Sequence, residues 1–88
     1  MTTAELTSGM RVHIVGIGGA GMSAIARVLL GRGFRVSGSD MQANNQTAAL
    51  AAAGVALHIG HRADNIEGAD LLLVSSAVPE SNVEWAAA

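Results

Sequence analysis

The stretch that decides the fold is Val12-His13-Ile14-Val15-Gly16-Ile17-Gly18-Gly19-Ala20-Gly21-Met22-Ser23. A short β-prone segment meets a glycine cluster here, and an apolar segment of helical composition follows. Gly16, Gly18 and Gly21 have the G-x-G-x-x-G spacing. In such a loop the first glycine permits the sharp turn, the second leaves room for a phosphate, and the third brings the helix close to the strand. Because the N-terminus of the new helix favours an anion, we predict a diphosphate-binding loop.

Strand-like and helix-like segments alternate along the rest of the chain. The patterns predict strands at 11–15, 34–38, 55–59 and 70–74, helices at 20–32, 46–53 and 83–88, and one helical turn at 63–67. Such alternation is typical of a parallel sheet with right-handed crossovers. We therefore predict an α/β, Rossmann-like three-layer sandwich with helices on both faces of the sheet and the strand order 3-2-1-4.

Composition limits the classes of function open to this chain. Its 88 residues allow one domain, which we place at 11–88 after a flexible tail at 1–10. The net charge is −2 and all five basic residues are scattered arginines, so we do not expect nucleic-acid binding. No apolar run could span a bilayer and the N-terminus does not resemble a signal peptide, which predicts a cytoplasmic protein without a membrane partner. Lysine is absent, which excludes a P-loop ATP site.

Residues suited to ligand binding follow each of the four predicted strands. The carboxyl ends of parallel strands meet at one edge of the sheet, and open α/β sheets bind their ligands there. Besides the glycine loop, this edge would receive Ser39-Asp40, Gly60-His61 and Ser75-Ser76. We predict that these clusters converge on one crevice.

Asp40 and His61 are the strongest individual candidates beyond the glycine loop. Asp40 lies nineteen residues after Gly21, near the place of the acid that binds a ribose hydroxyl in dinucleotide sites. The alternative is an aspartate that only caps a turn. His61 follows a glycine at a strand end, where its ring either reaches a nucleotide or remains an exposed loop side chain.

For several other polar residues, a structural role explains the sequence at least as well as a role in binding. Ser75 and Ser76 either donate to a phosphate or ribose, or cap the next segment. Metal-ligand spacing is missing, so we predict no metal site. We expect packed or edge side chains at His13 and His58. We expect solvated charges, without a role in binding, at Glu67, Asp70, Glu80 and Glu84.

Four motifs together resemble the N-terminal domain of the Mur ligase family, in particular its alanine-adding branch. They are Gly-Ile-Gly-Gly-Ala-Gly-Met-Ser at 16–23, Val-Ser-Gly-Ser-Asp at 36–40, His-Ile-Gly-His at 58–61 and Val-Ser-Ser-Ala at 74–77. The resemblance covers residues 11–88. It implies a domain that binds UDP-N-acetylmuramate, the sugar nucleotide to which the family attaches amino acids. The muropeptide-recycling branch shares the pattern, and an NAD-binding module of an oxidoreductase or a regulatory sensor is the alternative from another class.

The resemblance also implies roles for individual residues, none of them catalytic. The UDP diphosphate would be bound by Gly16, Gly18, Gly19, Ala20, Gly21 and Met22. The uridine would be bound by Ser39, Asp40, Met41 and His61. A second, weaker set near the phosphates or ribose comprises Ser75, Ser76 and Ala77.

The family pattern further implies that this chain is a fragment of a longer, multidomain bacterial ligase. ATP and Mg²⁺ would be bound by a central domain that lies outside the 88 residues. The fragment itself would have no cofactor, and it would bind the sugar nucleotide without catalysing ligation. A sheet cut short in this way exposes an edge, through which two copies could pair as a dimer.

Overall fold

The computed structural model describes residues 9–75, 78 and 82–84. Within them, four parallel strands form one sheet in the order β3-β2-β1-β4. The strands are β1 (Arg11–Val15), β2 (Arg35–Asp40), β3 (Ala56–Ile59) and β4 (Leu71–Val74). The helices are α1 (Ala20–Gly31) and α2 (Asn45–Ala53), and a 3₁₀ turn spans Ala63–Ile66. The predicted α/β class, parallel sheet and strand order are confirmed. Helices on both faces of the sheet stay a prediction, because α1 and α2 pack on the same face.

Strand β2 runs two residues further than the sequence pattern predicts. The carbonyl of Ser39 accepts hydrogen bonds from the N–H groups of Gly16 and Ile17, at 2.8 and 3.0 Å, and the Asp40 carbonyl accepts from Gly60 at 2.7 Å. With neighbours on both sides, the ladder continues through residues whose composition suggests a loop. Asp40 is therefore the last residue of its strand, which is the usual position for a ribose-binding acid.

One face of the sheet is apolar and is covered by α1 and α2. Alternate strand residues, Val12, Ile14 and Val36, pack there against the helices, and their side chains are at most 5% exposed. Ile17 also packs over this face, where a Cβ placed on Gly38 would lie 2.8 Å from the Ile17 Cβ. Gly38 is glycine because another side chain approaches its backbone closely. We call this surface the helix face.

The opposite surface, which we call the polar face, has buried polar side chains at its centre. His13, Ser37 and Ser39 alternate with the helix-face residues along β1 and β2 and are at most 1% exposed. They are covered by the 3₁₀ turn, through Asn65, and by Glu84. Sequence analysis predicted a solvated Glu84. That prediction is wrong, because Glu84 is fully buried.

Local capping explains where α2 begins. The Asn44 side chain accepts from the Thr47 N–H at 2.9 Å, and the Thr47 hydroxyl accepts from the Asn44 N–H at 2.8 Å. Near the end of the chain, the Asn82 side chain accepts from the Glu84 N–H at 2.9 Å. The helix predicted at 83–88 starts at Val83 as expected, but its remainder lies outside the described residues, as do residues 1–8 of the predicted tail.

Candidate functional site

A cleft of about 470 Å³ opens at the carboxyl edge of the sheet. Each of the four strands ends at it. The residues that line it are Gly16, Gly19, Asp40, Met41, His61, Ser75, Val78 and Asn82. Six of these eight were candidates from the sequence, so the predicted convergence of the strand ends is found. A larger hollow of about 670 Å³ beside β3 and the 3₁₀ turn is lined by only one residue of the four predicted clusters, Gly60.

The first glycine of the loop is required by both backbone conformation and space. Gly16 has φ +80°, which side-chain-bearing residues rarely adopt. A Cβ at this position would lie 3.0 Å from both Ser75 Cβ and Val78 Cγ2. The loop therefore crosses close to the end of β4 at this point.

The N-terminus of α1 adjoins the cleft through Gly19 and has free backbone donors. Gly19 is its N-cap and supplies no side-chain hydrogen bond, and the first turn contains no acidic residue. Among the described residues, no hydrogen bond uses the N–H groups of Ala20, Gly21 or Met22. Unpaired N–H groups and the positive end of the helix dipole together favour an anion here.

Asp40 occupies the space expected for a phosphate at the second glycine. Its Oδ2 accepts from the Gly18 N–H at 2.8 Å and its Oδ1 accepts from the Met41 N–H at 2.8 Å. A Cβ on Gly18 would lie 2.8 Å from Asp40 Oδ2 and 3.1 Å from the Asn44 amide nitrogen. Gly18 is therefore glycine so that β2 and α2 can approach the loop, and not because open space for a ligand adjoins it.

The third glycine has no close neighbour. A Cβ placed on Gly21 would meet nothing within 4 Å, so the predicted tight packing of helix on strand at this position is wrong. Gly21 is exposed on the first turn of α1. In this chain the close approach of loop and sheet occurs at Gly16 and Gly18.

His61 lines the cleft, and its ring is hydrogen-bonded on the buried side by Glu84 and Ser39. Its side chain is 9% exposed, and Nδ1 lies 3.0 Å from Glu84 Oε2 and 3.0 Å from Ser39 Oγ. Ser39 itself is fully buried and donates to Glu84 Oε1 at 2.7 Å. The structure thus places the Ser39 hydroxyl beneath the cleft, against His61, and not in its lining.

Glu84 binds five donors with its two oxygens. Oε1 receives the Ser39 hydroxyl and His13 Nε2, the latter at 2.6 Å. Oε2 receives His61 Nδ1, the Arg62 N–H and Asn65 Nδ2, each at 3.0 Å. Burial raises the pKa of this carboxyl, but the hydrogen bonds outweigh burial and lower the pKa from 4.5 to about 2. Glu84 is therefore an ionised group beneath the cleft.

Glu84 was not predicted as part of the site, although the sequence contains a signal for it. His13, Ser37 and Ser39 occupy alternate positions in strands that must be buried on both faces. Polar side chains in such places need a partner, because an unpaired buried polar group is costly. The pattern therefore calls for a polar or charged partner from elsewhere in the chain, and Glu84 is that partner for His13 and Ser39.

The remaining sequence-predicted site residues fall into three groups. Ala20 is exposed at the N-terminus of α1, and Met22 is half-buried there. Ser75 lies in the cleft lining. Ser76 and Ala77 lie outside the described residues.

The described residues were also searched for metal ligands. No group of three or more histidine, cysteine, aspartate or glutamate side chains that could bind a metal ion occurs within 9–75, 78 and 82–84. Over the same residues, no helix is long and apolar enough to cross a bilayer.

Comparison with protein families gives one match that covers most of the chain. The model of the Mur ligase family, catalytic domain, matches residues 11–88. A UDP-N-acetylmuramate–L-alanine ligase of Chlorobium phaeovibrioides is 58% identical over 85 residues, which is 96% of this chain and 18% of that protein. The enzyme of the same name from Methylococcus capsulatus is 58% identical over 78 residues, 89% of this chain and 16% of its own length. This chain therefore spans less than a fifth of either relative.

Two solved structures resemble the fold. The UDP-N-acetylmuramate–alanine ligase of Thermotoga maritima superposes with a TM-score of 0.84 at 39% identity, covering 88% of this chain and 18% of that one. A murein peptide ligase of Psychrobacter arcticus superposes with a TM-score of 0.77 at 32% identity, covering 83% of this chain and 16% of that one.

Proposed function

The chain belongs to the Mur ligase family, and we propose that it is the N-terminal, UDP-N-acetylmuramate-binding domain of a ligase that joins L-alanine to that sugar nucleotide. The observation that carries the proposal is the cleft at the carboxyl edge of the sheet. Residues from the ends of all four strands line it, beside the free N–H groups of α1. Relatives 58% identical to the chain are named for this activity.

In the proposed complex, the UDP diphosphate lies against the N-terminus of α1. The N–H groups of Ala20, Gly21 and Met22 donate to it, and Gly16 and Gly19 lie beneath it. Gly18 supports the site from behind, because its N–H is bonded to Asp40. Uridine lies on the other side of the cleft, near Asp40, Met41 and His61, while Ser39 supports His61 from below. Ser75 contacts a phosphate or the ribose, and we assign the same neighbourhood to Ser76 and Ala77.

The chemistry of ligation would need more than this chain contains. We propose that ATP and Mg²⁺ are bound by a central domain of the parent enzyme, since lysine is absent from all 88 residues and the P-loop needs one. The chain by itself then binds the sugar nucleotide, has no cofactor of its own and does not catalyse. We place the parent enzyme in the bacterial cytoplasm, in peptidoglycan synthesis.

A titration of the 88-residue chain separates this proposal from an NAD-binding module. UDP-N-acetylmuramate and UDP should raise the unfolding temperature, because a ligand at one hundred times its Kd stabilises by about 2.7 kcal/mol. NAD and NADH should not raise it at the same concentrations. Tighter binding of NAD than of UDP would overturn the proposal.

The diphosphate position can be tested with a variant that should fold well. Ala20→Glu puts a carboxylate at the exposed start of α1, where it favours the helix by about 0.3–1 kcal/mol. The same charge repels a diphosphate, so UDP affinity should fall about tenfold or more. Ala20→Gln is the matched control, with similar size and no charge, and should retain most of the affinity. Equal affinities for the two variants would place the diphosphate elsewhere.

Dimerisation through an exposed sheet edge stays a prediction. β3 and β4 are the outer strands of the sheet, and each leaves backbone groups on one side without a strand partner among the described residues. Sedimentation equilibrium of the 88-residue chain would detect the pairing as a doubled mass. A monomer at every concentration would contradict it.

A further inference from the structure

We propose that Glu84 is a positioning residue for His61. It holds the imidazole with its Nδ1–H directed into the protein, so that Nε2 faces the cleft as a hydrogen-bond acceptor. The inference rests on the proposed function, because it concerns the wall of the same cleft. Glu84 lies in the segment 82–84, far from the glycine loop in sequence.

The neighbours of Glu84 Oε2 fix its role as an acceptor. The Arg62 N–H and the Asn65 amide NH₂ both lie 3.0 Å from this oxygen, and neither group can accept a hydrogen bond. His61 Nδ1 lies 3.0 Å from the same oxygen. Since the oxygen has no proton to give, the ring nitrogen must donate.

Ser39 leads independently to the same tautomer. Its hydroxyl has one proton, which is donated to Glu84 Oε1 at 2.7 Å. The Ser39 oxygen can then only accept at its contact with His61 Nδ1, at 3.0 Å. Two acceptors therefore require a proton on Nδ1, and in the neutral ring Nε2 is left unprotonated.

The consequence concerns what the cleft can recognise. His61 lines the cleft, and none of the hydrogen bonds within the described residues uses its Nε2. An unprotonated Nε2 selects a ligand group that donates, such as a ribose hydroxyl or a base N–H, and disfavours an acceptor at that point. Without Glu84, the ring could also rotate or adopt the other tautomer.

His13 provides an internal reference, because it meets the same carboxylate through its other nitrogen. His13 Nε2 lies 2.6 Å from Glu84 Oε1, and its Nδ1 lies 2.8 Å from the Ser37 hydroxyl. The same reasoning gives His13 the Nε2–H tautomer. One buried carboxylate thus imposes opposite tautomers on two histidines.

The first experiment reads these tautomers in the unaltered 88-residue chain without ligand. Long-range ¹H–¹⁵N correlation spectra, recorded at alkaline pH, distinguish protonated from unprotonated ring nitrogens. We expect a protonated Nδ1 in His61 and a protonated Nε2 in His13. A protonated Nε2 in His61, or fast exchange between its tautomers, would overturn the inference.

The second experiment follows UDP-N-acetylmuramate affinity in two conservative variants. His61→Asn keeps an amide near the position of Nδ1 for Glu84 and leaves nothing at Nε2, so it should fold normally and bind about tenfold more weakly. Glu84→Gln can keep its oxygen toward Arg62, Asn65 and His61 and direct its amide toward His13 and Ser39, so that the Ser39 hydroxyl accepts there instead of donating. His61 should then retain its tautomer and its affinity, while His13 changes to the other tautomer.

If the tautomer of His61 determines binding, then in Glu84→Gln the tautomer and the affinity for UDP-N-acetylmuramate must either both change or both stay the same. A tenfold loss of affinity with the His61 tautomer unchanged would overturn the inference, and so would a changed tautomer with full affinity. Unaltered affinity in His61→Asn would overturn it as well. If the unaltered chain binds no UDP-N-acetylmuramate, the proposed function fails, and the spectra still show separately whether Glu84 sets the tautomer of His61.

Discussion

The two faces of the sheet are built from the same two central strands and are stabilised in different ways. On the helix face, Val12, Ile14 and Val36 are buried against α1 and α2, and their burial is favourable in almost any well-packed arrangement. On the polar face, His13 and Ser39 are buried just as fully, but each donor needs an acceptor in the right place. Apolar burial therefore tolerates adjustment, whereas the polar face depends on one carboxylate.

That dependence links the interior of the domain to its cleft. Glu84 contacts His13 in the middle of β1 and His61 at the cleft through one side chain. On the helix face, the apolar contacts are spread over many side chains. A change on the helix face should alter stability, whereas a change on the polar face should alter stability and binding together.

The largest effect should come from removing the shared acceptor. Glu84→Ala leaves five donors in the interior without their oxygen atoms, so we expect a loss of about 4 kcal/mol in the free energy of unfolding. Urea unfolding followed by circular dichroism measures it. Glu67→Ala is the matched control, because Glu67 is exposed and its change should stay within about 0.5 kcal/mol. Equal losses for both variants would remove the contrast between the faces.

Acid should weaken the polar face before it affects the helix face. The pKa of Glu84 is lowered in the folded chain to about 2 from 4.5, so the unfolded chain binds protons first as the pH falls. The stabilisation is complete above about pH 4.5 and is lost as the pH falls toward 2, amounting to about 3 kcal/mol. Burial also lowers the pKa of His13, which adds a loss that begins below its ordinary value of 6.5.

Unfolding free energies measured by urea titration between about pH 7 and pH 2.5 test this dependence. In Glu84→Gln the decline below about pH 4.5 should shrink, because the group that titrates there is gone. If stability is flat over the acid range in the unaltered chain, Glu84 is not held ionised by its hydrogen bonds.

The two faces also differ in how far the sequence predicts them. The alternation of strand-like and helix-like segments and the positions of the glycines were enough for the strand order and for α1, since those signals are local. The end of β2 was missed because Ser39 and Asp40 resemble a loop and are strand only through hydrogen bonds to β1 and β3. Glu84 was missed because its partners lie up to 71 residues away along the chain, and no local pattern records such a distance.

On the helix face, the tightest contact is the passage of Ile17 over β2. Gly38→Ala puts a methyl group into the space of the Ile17 side chain, so overpacking should cost about 2 kcal/mol. Gly31→Ala is the matched control, because a Cβ there meets nothing within 4 Å and alanine favours the helix by about 0.5–1 kcal/mol. Thermal unfolding should therefore shift in opposite directions for the two variants. A stabilised Gly38→Ala would show that the helix face can repack around a methyl group even at its closest contact.

The smallest effect should come from the edge of the polar network. Ser37→Ala removes the hydroxyl that lies 2.8 Å from His13 Nδ1 and also within 3.4 Å of the Arg11 guanidinium. His13 keeps its bond to Glu84, so we expect a loss of about 1 kcal/mol, as for one buried hydrogen bond. Asn45→Ala, at the exposed start of α2, removes a polar side chain from the surface and should be neutral or slightly stabilising. If Ser37→Ala instead cost as much as Glu84→Ala, the polar face would act as a single cooperative unit, and its stability could not be divided among separate hydrogen bonds.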